Sequence, residues 1–342
     1  HNAIVSPTSH AYLDADVATV DLRKVYSFEP IPPDLSKEEA TLIMGGECNM
    51  WTERAPQELV DSKVFPRILA MSERLWSPET TRDFSQFRRR VQTHYSRLDL
   101  LGVTYGAEAK PVKVHANFDP VKSGCIVQLE AGELGLDIFY TLGDSNKAIP
   151  YQKPLMFTKS VELEAQAFRH KKPYGEPTLF NFQAHKALGK SLSLDSTYHI
   201  KYTAGGPLGL VNGIRGSKNF REGGWQGYEE IDFNGIVDLG KVNRVTSVMA
   251  GFLQDIGSWI FLPRNMRISL SLDGIHFKTV AEKSHSVSLK EQSAIIKELQ
   301  VDVYSIPARY VKIEVENVGR CPEWHPGAGG KAWIFVDEIV VK

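Results

Sequence analysis

Two short triplets near the start of the sequence, Tyr12-Leu13-Asp14 and Trp51-Thr52-Glu53, hold the side chains best suited to chemistry. A phenol hydroxyl, two carboxylates and an indole suit a pyranose ring. The carboxylates accept hydrogen bonds from ring hydroxyls, and the indole covers the apolar C–H face. Singly, each is weak: a loop tyrosine is usually structural, and a tryptophan beside a buried strand usually belongs to a core. The joint arrangement carries the case. A second pair, Trp324-His325, sits among Gly319, Pro322, Pro326 and Gly327, so an exposed loop able to stack on and bond to a ligand is expected there. Trp225, Trp259 and Arg264 are further loop candidates, although these aromatics could equally serve packing.

The elements that must position the first four residues read as alternating strand and helix. Ala3-Ile4-Val5 and Leu42-Ile43-Met44 are apolar runs without alternation, as in parallel strands covered on both faces. Each triplet follows one of them, and α/β barrels build their sites in such loops. Pro66 suits a helix start, with Ile68, Leu69, Ser72, Leu75 and Trp76 on one stripe before Ser77-Pro78 ends the run. Asp83 and Gln86 predict a cap for a second helix, with Phe84, Phe87, Val91, Tyr95 and Leu98 on one side and Gly102 as the stop. Arg88, Arg89 and Arg90 fall mostly off that stripe and are expected to face solvent.

From about residue 110 the period changes from helix-like to two. Val161, Leu163, Ala165 and Ala167 alternate with polar residues, and Gly143-Asp144-Ser145-Asn146 supplies a turn. This all-β stretch ends near Gly189. A further one follows, with Met266, Ile268, Leu270 and Leu272 alternating before Asp273-Gly274, then Val311, Ile313 and Val315, and Trp333 to Val341 as a closing strand. Many short strands between Gly, Asp and Asn turns argue for a β-sandwich.

At 342 residues the chain suggests two or three domains. A net charge of -1 gives no electrostatic case for nucleic acid or an anionic membrane. No apolar run approaches the ~20 residues that span a bilayer. The opening His1-Asn2-Ala3 reads as a cut end. Cys48, Cys125 and Cys321 make no metal spacing, and buried or idle thiols are the expectation.

Ile4-Val5-Ser6-Pro7 with Tyr12-Leu13-Asp14, Met44-Gly45-Gly46-Glu47 with Trp51-Thr52-Glu53, and Pro66-Arg67, Ala70 and Glu73-Arg74-Leu75-Trp76-Ser77 resemble family 20 glycoside hydrolases. In order, they look like the seventh strand, the eighth strand and the last helix of a (β/α)8 barrel, the C-terminal part of a bacterial-type β-N-acetylhexosaminidase. The resemblance implies that Tyr12 donates to the 2-acetamido oxygen and Trp51 forms part of the pocket wall. It implies that Asp14 and Glu53 bind hydroxyls on the far side of the ring. Glu73 and Arg74 also match, with helix-side ion pairs as their expected role. The implied mechanism is substrate-assisted and retaining, with an Asp-Glu pair supplying the general acid and orienting the acetamido group. The family's His-x-Gly-Gly-Asp-Glu type motif is missing here. Asp337-Glu338 is the one Asp-Glu, and as neighbours on a strand they should point to opposite faces. The chain alone is therefore expected to be inactive and to need an N-terminal half.

Ile138 to Leu142 with Pro154-Leu155 resembles the small sandwich behind chitobiase-like barrels. Leu210-Val211-Asn212-Gly213, Val237 to Gly240, Ser271 to Gly274 and Phe277 resemble a discoidin-type domain. The implied division is barrel end 1–108, small immunoglobulin- or fibronectin-like sandwich 109–189 and discoidin-type sandwich 190–342. Related modules often hold a structural calcium near the position of Asn212-Gly213, where Asn here replaces the more usual Asp. No cofactor is implied for the chemistry. The expected partners are N-acetylhexosamine-terminated glycans, and the expected location is the bacterial periplasm or cell surface. A carbohydrate-binding or interaction module without catalysis stands as the alternative.

Overall fold

The computed structural model describes residues 1–52, 55–78, 80 and 82–342. The chain is mostly β-sheet with few helices. Its first strands, β1 (Ala3–Val5) and β2 (Ile43–Gly46), pair in parallel. They are not covered on both faces as the apolar runs suggest. Ile4 is 58% and Met44 69% exposed, so nothing among the described residues covers that side of the pair, and no third strand joins its edges there.

Helices α1 (Thr8–Ala11), α2 (Leu22–Tyr26) and α3 (Lys37–Ala40) lie between these strands, and α4 (Val60–Val64), α5 (Arg67–Trp76) and α6 (Phe84–Leu101) follow. A core of Leu13, Val20, Leu22, Val25, Met71 and Phe87, with neighbours, joins α2, α5 and α6 to the loop after α1. On α5 the buried face is Arg67, Ala70 and Met71, whereas Ser72 and Trp76 are exposed. Trp76 is the last helical residue, and the extended backbone at Ser77 carries the chain away before anything covers the indole. The next helix follows its sequence pattern. Asp83 accepts from the Gln86 amide at 2.7 Å, Phe87, Val91 and Leu98 are buried, and Gly102 takes the left-handed stop at φ 67°.

The arginine run does more than face solvent. Arg90 pairs with Glu73, and Arg88 reaches Glu108 at 2.6 Å. Glu108 also accepts from Gln92 at 3.0 Å and the Tyr95 hydroxyl at 2.8 Å, while its own amide donates to Glu133 at 2.6 Å. Glu133 takes Arg169 and Tyr174 in turn. Burial, then the neighbouring Glu108, pushes the Glu133 carboxyl above its usual range. Two buried carboxylates thus fasten α6 to the β-rich part of the chain.

That part begins with β3 (Val112–Asp119), β4 (Gly124–Ala131), β5 (Asp137–Leu142), β6 (Ile149–Pro150), β7 (Leu155–Phe157), β8 (Val161–Arg169) and β9 (Lys172–Phe182). They form two antiparallel sheets, ordered β3-β4-β7 and β6-β5-β8-β9. Val127 and Leu129 of one meet Leu163, Ala165 and Phe182 of the other in a single core. The remaining strands are β10 (Ser191–Leu194), β11 (Gln226–Glu229), β12 (Phe233–Gln254), β13 (Met266–Ser271), β14 (Lys278–Lys283), β15 (Ile295–Val315) and β16 (Trp333–Val341). Their order is β11-β16-β12-β15-β13-β14, with β10 on β12. The long partners β12 and β15 shift register around 238–247 and surround the largest core.

Leu272 does not continue the buried alternation of β13. It is exposed, while Ser269 and Ser271 are buried. The Ser271 hydroxyl bonds Asp273 and receives the Gly274 amide, so the strand already bends there and Leu272 turns outward. Asp337 and Glu338 on β16 are fully buried and serve different partners, Arg215 at 2.8 Å and His185 at 2.8 Å. They do not converge on a site. Among the described residues no helix is long and apolar enough to cross a membrane.

Replacing Glu108 by Ala strands Arg88 and Tyr95 against buried surface. Urea denaturation should show a loss of roughly 3 kcal/mol, the usual scale for breaking a buried ion pair. A loss below roughly 0.5 kcal/mol would mean that the network does not hold α6.

Candidate functional site

The short α1 turns the chain after β1 and releases it at Tyr12 in an extended conformation. Tyr12 then forms a parallel bridge with Asn49. The Asn49 amide donates to the Ala11 carbonyl at 2.8 Å, and the Leu13 amide donates to the Asn49 carbonyl at 2.9 Å. The Asn49 side chain reaches the Ser6 hydroxyl at 3.0 Å. Through Asn49 the loop after β1 and the loop after β2 are joined, so Tyr12-Leu13-Asp14 runs beside the segment that leads to Trp51.

Leu13 is buried in the core that joins this loop to the helices. Asp14 is only 9% exposed, and its Oδ1 is buried with no hydrogen-bond partner among the described residues. A buried carboxylate oxygen is costly to leave unpaired, so this one is suited to accept a hydrogen bond from a ligand. Trp51 is 52% exposed, which leaves half of the side chain free to meet a ligand. Glu53 lies outside the described residues.

The loop from 13 to 20 is held from beneath by α4 and α5. Arg67 is buried, and its guanidinium donates to the carbonyls of Leu13 at 2.5 Å, Ala15 at 3.1 Å and Val20 at 2.8 Å. It also donates to the Lys63 carbonyl, and the Lys63 ammonium reaches the Asp14 carbonyl at 2.7 Å. Burial lowers the Arg67 pKa to about 10, so the group stays charged near neutrality. Cys48 lies near it, and burial raises that thiol to about 11, leaving it an unreactive neighbour at neutral pH. Asn49, Lys63 and Arg67 were not singled out as site residues from sequence. A polar loop residue bonding through its backbone leaves no sequence signature. A buried guanidinium differs from an exposed one only through the carbonyls around it.

Glu73 and Arg74 make the expected ion pairs, Glu73 with Arg90 and Arg74 with Glu29 at 2.8 Å.

The loops of the last sheet separate the other candidates. Trp324 is 39% exposed, with the Lys290 ammonium 5.6 Å from its ring centre. His325 is only 5% exposed, donates from Nε2 to the Ile256 carbonyl at 2.8 Å, and accepts the Gly327 amide at Nδ1 at 3.0 Å. Its imidazole pins the loop from within and does not present itself to a ligand. Trp225 is buried with its Nε1 on Ser217, and Arg264 pairs with Glu316. Trp259 packs over Gly327 and Gly330, where an added Cβ would come within 2.6 Å of the ring.

The two joined loops carry the segment that known proteins share. Residues 1–79 match the description "Glycosyl hydrolase family 20, catalytic domain". A β-hexosaminidase of Porphyromonas gingivalis is 34% identical over 85 residues, covering 25% of this chain and 11% of that protein. The mouse (Mus musculus) β-hexosaminidase subunit beta is 32% identical over 101 residues, covering 30% of this chain and 18% of the other. The matched stretch therefore spans less than a fifth of these family 20 relatives. A solved lectin domain of lectinolysin, complexed with Lewis B antigen, is 20% identical, with a TM-score of 0.29 over 46% of this chain and 95% of its own. That score is too low to assign a fold or a ligand.

Arg67→Ala should free the loop: hydrogen exchange at the amides of Leu13, Thr19 and Val20 is expected to quicken roughly tenfold or more, with Arg67→Lys intermediate. Unchanged exchange in both variants would show that the guanidinium does not set the loop.

Proposed function

We propose that this chain is the C-terminal part of a family 20 β-N-acetylhexosaminidase, which as a complete protein removes terminal β-linked N-acetylhexosamine from glycans. The observation that carries the reading is the Tyr12–Asn49 bridge, which runs Tyr12-Leu13-Asp14 beside the segment that leads to Trp51. In this reading β1 and β2 are the seventh and eighth strands of a (β/α)8 barrel, and residues 1–108 are its end. Residues 109–189 form a small immunoglobulin-like sandwich and 190–342 a discoidin-type one. The open edges of β1 and β2, with Ile4 and Met44 bare beside them, are where the preceding strands of the barrel would pair. An exported location, in the periplasm or on the cell surface, goes with this reading.

The chemistry follows from the side chains. The substrate's acetamido oxygen attacks the anomeric carbon as the leaving group is protonated, giving an oxazolinium ion that water opens with net retention. Tyr12 holds the attacking oxygen by donating its hydroxyl proton to it, a positioning effect. Asp14 and Glu53 accept from hydroxyls across the ring, and the Trp51 face closes the apolar side. The general acid belongs to an Asp-Glu pair upstream, because the one pair in this chain is buried in β16.

The 342-residue chain should give no turnover of a chromogenic N-acetylglucosaminide, and joining or adding the upstream half should restore it. In the complete protein Tyr12→Phe should cut kcat by roughly 100-fold, the scale for one lost hydrogen-bond donor to a developing charge. A complete protein without this activity would end the reading.

The exposure of Trp324 favours a second role, glycan binding by the last module without catalysis. Calorimetry on the bare chain should then show glycan binding that Trp324→Ala abolishes. No binding at millimolar sugar would leave that module as a scaffold.

A further inference from the structure

The discoidin-type resemblance implies a calcium beside Asn212-Gly213, and the oxygens there do not fit one. Calcium takes six to eight oxygen ligands. The Asn212 Oδ1 already accepts the Ile214 amide at 2.8 Å, and the Gly213 carbonyl accepts the Gln183 amide at 2.8 Å. An acidic group that meets this loop is Glu338, fully buried on β16, and its Oε1 lies 2.8 Å from Nε2 of His185. The backbone N–H groups of Gly213 and Asn212 also face the Glu338 carboxyl group. Among the described residues no three His, Cys, Asp or Glu side chains gather as a metal set.

His185 comes from the segment after β9, which is stitched to the last sheet on both sides of it. The Arg215 amide donates to Asn181 at 3.2 Å, Phe182 bridges Ile214, and the Lys186 amide donates to Val341 at 2.8 Å. A buried carboxyl group in such a place needs compensation. We propose that the His185 imidazole, rather than a divalent cation, compensates Glu338 in this chain, and that the pair fastens the segment 181–186 to β16. The imidazole holds one oxygen of the carboxyl group, and the Arg215 guanidinium, 2.8 Å from the adjacent Asp337, places a fixed positive charge nearby that repels a dication. The inference is independent of the glycosidase reading.

The test uses the intact chain. Its melting temperature should agree within about 1 °C in EDTA and in about 10 mM calcium chloride, and calcium should leave the signals of the His185 ring nitrogens unmoved. A calcium-dependent rise of about 5 °C or more, or a saturable shift of those signals, would overturn the proposal. His185→Ala should also speed amide exchange at Gln183 and Lys186 roughly tenfold, and unchanged exchange there would refute the fastening role. If that variant fails to fold, the measurements on the unaltered chain still decide the cation.

Discussion

Asn49 is the residue on which the candidate site depends. Two backbone hydrogen bonds, one to Ala11 and one from Leu13, extend the parallel pairing of β1 and β2 past the strands themselves and into their loops. Without them the chain would leave β1 and β2 in independent directions, and Tyr12 and Trp51 would have no reason to share a surface. Backbone bonds suit this task, because they fix position whatever the neighbouring side chains do.

That bridge is supported by a buried charge. Arg67 spends its donors on main-chain carbonyls, with no carboxylate among its hydrogen-bond partners, so its position is set by the shape of the loop from 13 to 20. A guanidinium spreads five donors over a fixed planar fork and so reaches the separated carbonyls of Leu13, Ala15, Val20 and Lys63, whereas an ammonium offers three donors at one point. Lys63 adds one more contact at Asp14. The result is a loop whose backbone carbonyls are held from below, while one Asp14 carboxylate oxygen has no partner among the described residues. The same device recurs elsewhere: Glu108 and Glu133 hold α6 to the β-sheets, and His185 with Glu338 holds the connecting segment to β16. In each case polar groups buried between elements set how those elements meet.

Much of this was legible in the residues. The stripe of α6, its Asp83 cap and its Gly102 stop follow from local physics that tertiary contacts did not override. The alternation in β8 and the closing strand β16 were equally plain. The misreadings share a cause. Ile4 and Met44 looked buried because apolar runs predict burial without saying what provides it. Trp76 lay on the helical stripe but at the helix end, beyond the core. His325 looked like a loop residue open to solvent, yet its ring turns inward to the Ile256 carbonyl. Asn49 and Arg67 act through the backbone, and backbone contacts between distant segments leave no periodic trace.

The central claim is that the two joined loops close around one N-acetylated hexose. The most direct measurement is a crystal structure of the complete protein with N-acetylglucosamine bound. The account predicts the Tyr12 hydroxyl at about 3 Å from the acetamido oxygen, with the Trp51 ring against the sugar and Asp14 on its hydroxyls. A sugar bound elsewhere, or held in that cleft with Tyr12 turned away from the acetamido group, would contradict it.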